Sequence, residues 1–147
     1  MLKKLTNLNA WQLILLAFFI TGLINIVIAY FDISGLSNVR SEQNDIFFPS
    51  SKVIGTVWML LIAGLSYSFS VVAKKDQSIA KHLIFLFLIC VTYPFYTIGF
   101  SSLSNMILGN LVTISYGSFI VRLLYTTFKT QSFVVSLIPI WVALLPS

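Results

Sequence analysis

Few residues of this chain are of a type that could break or form bonds. The single histidine, His82, sits beside Lys81, and the single cysteine is Cys90. One cysteine excludes an intrachain disulfide and any multi-cysteine metal site. Three of the four acids, Asp32, Glu42 and Asp45, share one polar segment, and the fourth, Asp76, follows Lys74 and Lys75. No His-Glu-x-x-His pair, serine–histidine dyad or paired carboxylates within an apolar stretch can be assembled, and no glycine-rich phosphate loop opens a helix. The sequence therefore predicts a non-enzyme with no catalytic residue, no metal site and no required cofactor. His82 reads as a solvated loop residue. The side chains left to consider are aromatic or amide groups in apolar surroundings: Trp58, Tyr93, Trp141, Asn25 and Asn110. Such rings can stack on a planar ligand, and an amide away from water needs a partner.

Composition sets the solvent in which those groups operate. Hydrophobic residues make up 58% of the 147 positions and charged residues only 9%, with a mean hydropathy of +0.96. A soluble domain carries roughly 25% charged residues, so this chain could not cover itself with polar surface. Lipid is the alternative, and there a helix satisfies its own backbone hydrogen bonds. The expectation is an all-α integral membrane protein of one domain, with the lipid bilayer as its first partner. The net charge of +5 could suggest nucleic acid, but no long basic run or basic amphipathic helix is present. Lysines and arginines that mark cytoplasmic loops explain it better, and no nucleic-acid partner is expected.

Five apolar segments, 11–30, 53–73, 83–100, 106–124 and 132–147, approach the ~20 residues a spanning helix needs. The first resembles a signal peptide in ending on Val27-Ile28-Ala29, yet it exceeds the usual ~7–15-residue apolar core, so a retained helix is expected. With the N-terminus inside, Lys3, Lys4, Lys74, Lys75, Lys81, Arg122 and Lys129 fall on the cytoplasmic side, and only Arg40 and Lys52 fall outside. That bias predicts an N-in, C-out topology; the expected location is a bacterial cytoplasmic membrane. No charged residue lies at the centre of a span. Ion-coupled transporters and pumps usually depend on such residues, so a proton-coupled exchanger is disfavoured.

Small and polar stripes mark helix faces turned away from lipid. Ala17, Thr21, Asn25 and Ala29 recur at four-residue intervals, as do Gly109, Thr113 and Gly117, and Ser66, Ser68 and Ser70 alternate. Close backbone packing accounts for the glycines. Asn25 and Asn110 call for either an interhelical hydrogen bond or a place on a cavity wall. Pro94 and Pro139 each remove a backbone donor within a span and predict bends, which either open space between helices or adjust packing around bulky rings.

The stretch Phe47, Pro49 and Val53-Ile54-Gly55-Thr56-Val57-Trp58 through Leu61 resembles the second-helix approach of the TspO/MBR family, the tryptophan-rich sensory and translocator proteins. That family reads Pro-x-Trp-x-Pro-Pro, a short gap, then Gly-x-Val-Trp-x-x-Leu-Tyr. Pro49, Gly55, Val57, Trp58 and Leu61 match it, while Phe47, Ser50 and Ile62 depart. Cys90 to Tyr96 resembles the third-helix pattern through Tyr93 and Pro94, with Cys90 where asparagine is usual. Asn110 falls where the family commonly has aspartate. Leu137-Ile138-Pro139-Ile140 resembles the fifth-helix Leu-x-Pro-Tyr, and the tryptophan expected at Ala143 appears instead as Trp141.

The resemblance implies a five-transmembrane-helix bundle of TspO/MBR type, often a homodimer, that binds porphyrins or other hydrophobic small molecules. It implies a ligand pocket walled by Trp58, Tyr93, Pro94, Asn110, Pro139 and Trp141, with Phe47, Pro49 and the outer loop as its lid. Trp58 would stack on the ligand; read without the family, it would be an anchor at the outer headgroups. Some relatives are associated with light-dependent porphyrin breakdown through pocket tryptophans. The shifted tryptophan here favours binding, sensing or transport over turnover. The alternatives are a structural or assembly subunit holding no ligand, and a small uncoupled transporter.

Overall fold

The structure, a computed structural model, describes residues 5–30, 51–94 and 103–144. Those residues form five helices and no strand: α1 (Ala10–Tyr30), α2 (Ser51–Val72), α3 (Gln77–Pro94), α4 (Leu103–Tyr125) and α5 (Lys129–Leu144). The first four are long and apolar enough to cross a membrane. The 16 residues of α5 rise only about 24 Å at helical pitch, short of the ~30 Å hydrocarbon layer.

Polar side chains decide where two of the helices begin. Asn9 Oδ1 accepts from the Gln12 amide and Gln12 Oε1 accepts from the Asn9 amide, both at 2.9 Å. This reciprocal cap satisfies two donors that the first turn of α1 leaves over. Asp76 Oδ1 accepts from the amides of Ser78 (2.8 Å) and Ile79 (3.0 Å), so α3 starts at Gln77 rather than at residue 83. His82 therefore belongs to a helix and not, as expected, to a solvated loop. Pro94 is the last described residue of α3, so the bend expected within the span is not found among the described residues.

The short α2–α3 turn at Ala73–Asp76 and the α4–α5 turn at Thr126–Phe128 make those pairs antiparallel hairpins. Cross-helix pairs agree for the remaining neighbours: Tyr93 meets Asn110 and His82 meets Tyr116, so the positions on α4 climb as those on α3 fall. Helix α2 is the hub, packing against α1, α3 and α5, while α4 packs against α3 and most extensively against α5. Over its second half α2 buries Leu65, Ser66, Ser68, Phe69, Ser70 and Val72, which leaves little of that half facing outward. The main core joins Leu61, Leu65 and Phe69 to Leu83, Leu86 and Cys90 of α3, Ile120 and Leu124 of α4, and Val135 and Ile138 of α5. Helix α1 joins the main core through Leu13 and adds a smaller cluster in which Ala17 packs with Ile62 and Val91. Of the polar stripe expected on α1, Ala17 is buried but Asn25 is exposed, because the buried positions run through Leu13, Ala17 and Ile28 instead.

Glycine sets the approach of helices at two points. A Cβ at Gly64 would lie 2.8 Å from Val134 Cγ1, and one at Gly117 would lie 3.2 Å from Pro139 Cδ. Without a hydrophobic force between helices in lipid, close packing of this kind is a main source of association. The contact also places Pro139, which is buried, in the α4–α5 seam. The Val134 methyl can turn away, whereas the Pro139 ring cannot. Gly117→Ala is therefore expected to lower stability by about 1 kcal/mol, an overpacking cost of about 1–3 kcal/mol partly offset by the ~1 kcal/mol helix gain of alanine. In a Pro139→Ala background the same substitution is expected to become neutral or stabilising. Unfolding in mixed micelles of the four proteins of this cycle measures it, and equal effects in both backgrounds would refute the contact.

Candidate functional site: an aromatic–amide junction and an apolar cleft

Three of the residues singled out from sequence converge at one end of the bundle. Trp58 lies in the first half of α2, Tyr93 near the end of α3 and Asn110 in the first half of α4. The antiparallel order brings these three positions to the same level. The Trp58 and Tyr93 rings have centroids 4.8 Å apart with planes tilted at 42°, within the range of favourable aromatic pairs. The Tyr93 hydroxyl donates to Asn110 Oδ1 at 2.5 Å. Asn110 is only 7% exposed, so its amide needs this partner: an unmet buried polar group costs about 1–3 kcal/mol. Trp58 remains partly exposed, which leaves some of its ring uncovered by the protein.

The other expected wall residues are distributed differently. Pro94 follows Tyr93 and is half-buried, and Pro139 serves the α4–α5 seam. Trp141 packs against the main core, with its indole Nε1 buried and without a partner among the described residues. Phe47 and Pro49, expected in the lid, lie outside the described residues.

At the opposite end, α1, α2 and α3 enclose a cleft of about 210 Å³. Leu13, Leu16, Ala17 and Ile20 line it from α1, Leu65, Ser66 and Phe69 from α2, and Leu83, Ile84, Phe87 and Leu88 from α3. None of the residues expected to bind a ligand lies on its wall. Sequence reading missed it for a physical reason: hydrocarbon lining a cleft has the same composition as hydrocarbon facing lipid. Its one polar residue, Ser66, donates its hydroxyl to the Ile62 carbonyl at 2.9 Å and is already satisfied.

A second missed feature ties α3 to α4. His82 Nδ1 lies 2.8 Å from the Tyr116 hydroxyl, and its ring meets Phe119 edge-on at 5.7 Å. Phe85 packs edge-on against Tyr116 at 5.1 Å. The signal was available as aromatic spacing at i and i+3 on both helices, His82–Phe85 and Tyr116–Phe119, which puts each pair on one helical face. Among the described residues, no group of histidine, cysteine and carboxylate side chains could hold a metal ion.

If the Tyr93–Asn110 bond holds α3 to α4, Tyr93→Phe is expected to destabilise the protein by about 0.6 kcal/mol, and at most about 1.7 kcal/mol, the range for hydrogen bonds between helices in membranes. Adding Asn110→Leu should then cost less than it does alone, because the orphaned amide is removed with its partner. Unfolding equilibria of both single variants and the double variant test this, and strictly additive losses would contradict it. Comparison with family models, curated proteins and solved structures finds no match for this chain.

Proposed function

We propose that this chain is a TspO/MBR-like multi-pass membrane protein that binds a planar hydrophobic ligand, of the porphyrin class, against the Trp58–Tyr93–Asn110 junction. The observation that carries the reading is the convergence of those three side chains from three different helices. A tetrapyrrole offers a large flat apolar face and a polar edge. Trp58 supplies a ring to stack on, and Tyr93 braces that ring from one side. The uncovered part of Trp58 is the natural place for the ligand, since Tyr93 occupies the other side. Asn110 fixes Tyr93 and contributes a polar group at the edge. Pro94, which follows Tyr93, extends the wall, whereas Pro139 stays in the α4–α5 seam and Trp141 against the main core.

In this reading the N-terminus is cytoplasmic, so the junction lies toward the outer side of a bacterial cytoplasmic membrane. The chain acts by binding, sensing or transport, and pairs as a homodimer. Turnover is not proposed. The cleft at the other end does not serve this ligand: about 210 Å³ falls below the ~300–1,000 Å³ of sites that enclose drug-sized molecules.

Titration of the purified protein with protoporphyrin IX, followed by porphyrin absorbance, tests the proposal. Wild type is expected to saturate, and Trp58→Ala to bind about tenfold more weakly, the loss of one ring pair together with its buried area. Non-saturable uptake by wild type, or equal affinity in the variant, would overturn it.

A further inference from the structure

The cleft between α1, α2 and α3 differs from the junction in position, lining and charge. Its volume of about 210 Å³ exceeds the ~150 Å³ of an apolar cavity that stays dry yet admits benzene. It is too small to enclose a ligand the size of a tetrapyrrole. Among the described residues that line it, Ser66 alone is polar, and its hydroxyl donates to its own helix. Such a space suits a length of hydrocarbon chain.

What surrounds the cleft says which chain. Two of its lining residues, Leu16 and Leu88, are also exposed, Leu88 by 51%, so the cleft opens sideways through an apolar rim. Lys81 precedes Ile84 and Leu88 by three and seven residues and therefore stands above them on the same face of α3. Lys81, Lys74 and Lys75 are all exposed at this end of the bundle. The nearby acid, Asp76, is engaged with the amides of Ser78 and Ile79. Arg122 and Lys129, beside the α4–α5 turn, add to the same sign. The end that holds the cleft is thus electropositive, and the opening leads from it into the bilayer.

We infer that this cleft is a binding site for an anionic membrane phospholipid. One acyl chain lies between α1, α2 and α3, and the phosphate is met by Lys81 with Lys74 and Lys75 beside it. The apolar rim at Leu16 and Leu88 accommodates the second chain, which a fully enclosed cavity could not. This site is independent of the porphyrin reading and stands or falls without it.

Native mass spectrometry of the detergent-solubilised full chain, delipidated and then offered equal amounts of dioleoyl phosphatidylglycerol and dioleoyl phosphatidylcholine, tests the inference. Wild type is expected to retain the anionic lipid in preference to the zwitterionic one. Lys81→Gln should reduce that preference about fivefold, the effect of one basic residue near an anionic headgroup. Ala17→Phe, which fills the cleft, should reduce retention of both lipids. Should that variant not fold, Leu88→Trp at the exposed rim gives the same readout. Equal retention of the two lipids by wild type, retention unchanged when the cleft is filled, or displacement of phosphatidylglycerol by an equal amount of oleate would each overturn the proposal.

Discussion

A polar atom buried among apolar helices costs free energy unless it finds a partner inside the protein, and among the described residues only Ser68 Oγ and Trp141 Nε1 are buried without one. Helix backbones satisfy themselves, and Thr21, Ser66 and Thr113 return their hydroxyls to carbonyls of their own helices. Other side chains reach from one helix to the next. Tyr93 to Asn110 and His82 to Tyr116 both join α3 to α4, and the Ser132 hydroxyl reaches the Val121 carbonyl at 2.9 Å to join α5 to α4. The remaining cohesion comes from shape, as where Gly117 receives Pro139. Helix α4 thus takes directed contacts from both α3 and α5, and α2 sits at the centre of the packing.

This division gives the two ends of the bundle different chemistry. At one end, an amide, a phenol and an indole from three helices fix one another. At the other end, α1 leans on α2 and α3 through small and aliphatic side chains, leaving an apolar cleft at the end of the bundle that carries Lys74, Lys75 and Lys81. Rigid rings suit recognition of a flat molecule, whereas a hydrocarbon slot with charges at its mouth suits an amphiphile. Both features share α2, whose first half carries Trp58 and whose second half carries Leu65, Ser66 and Phe69 of the cleft wall.

How much of this was legible from sequence depends on what each residue type can signal. The five helices follow from long apolar runs, and Asn110 identified itself because an amide in such a run demands a partner. That the partner would be Tyr93 depends on the rotation of α3 against α4, which side-chain types alone do not specify. His82 lies inside α3 because the charged residues do not mark the boundary of the span. The boundary is set by the Asp76 cap, which carries a polar first turn into the helix. Asn25 promised a contact on α1 that the buried stripe bypasses. The cleft could not be foreseen, since leucine beside lipid and leucine beside a void are the same residue.

The account turns on Trp58 belonging to the protein interior rather than to the lipid surface. Single-tryptophan proteins keeping only Trp58 or only Trp11, reconstituted with lipids brominated along their acyl chains, test this directly. Trp11 is 75% exposed and serves as the lipid-facing reference. The account predicts that bromine quenches Trp11 strongly and Trp58 weakly, because Tyr93 shields one side of the indole and neighbouring helices shield more. Equal quenching of the two across all bromine depths would place Trp58 at the lipid surface and contradict the account.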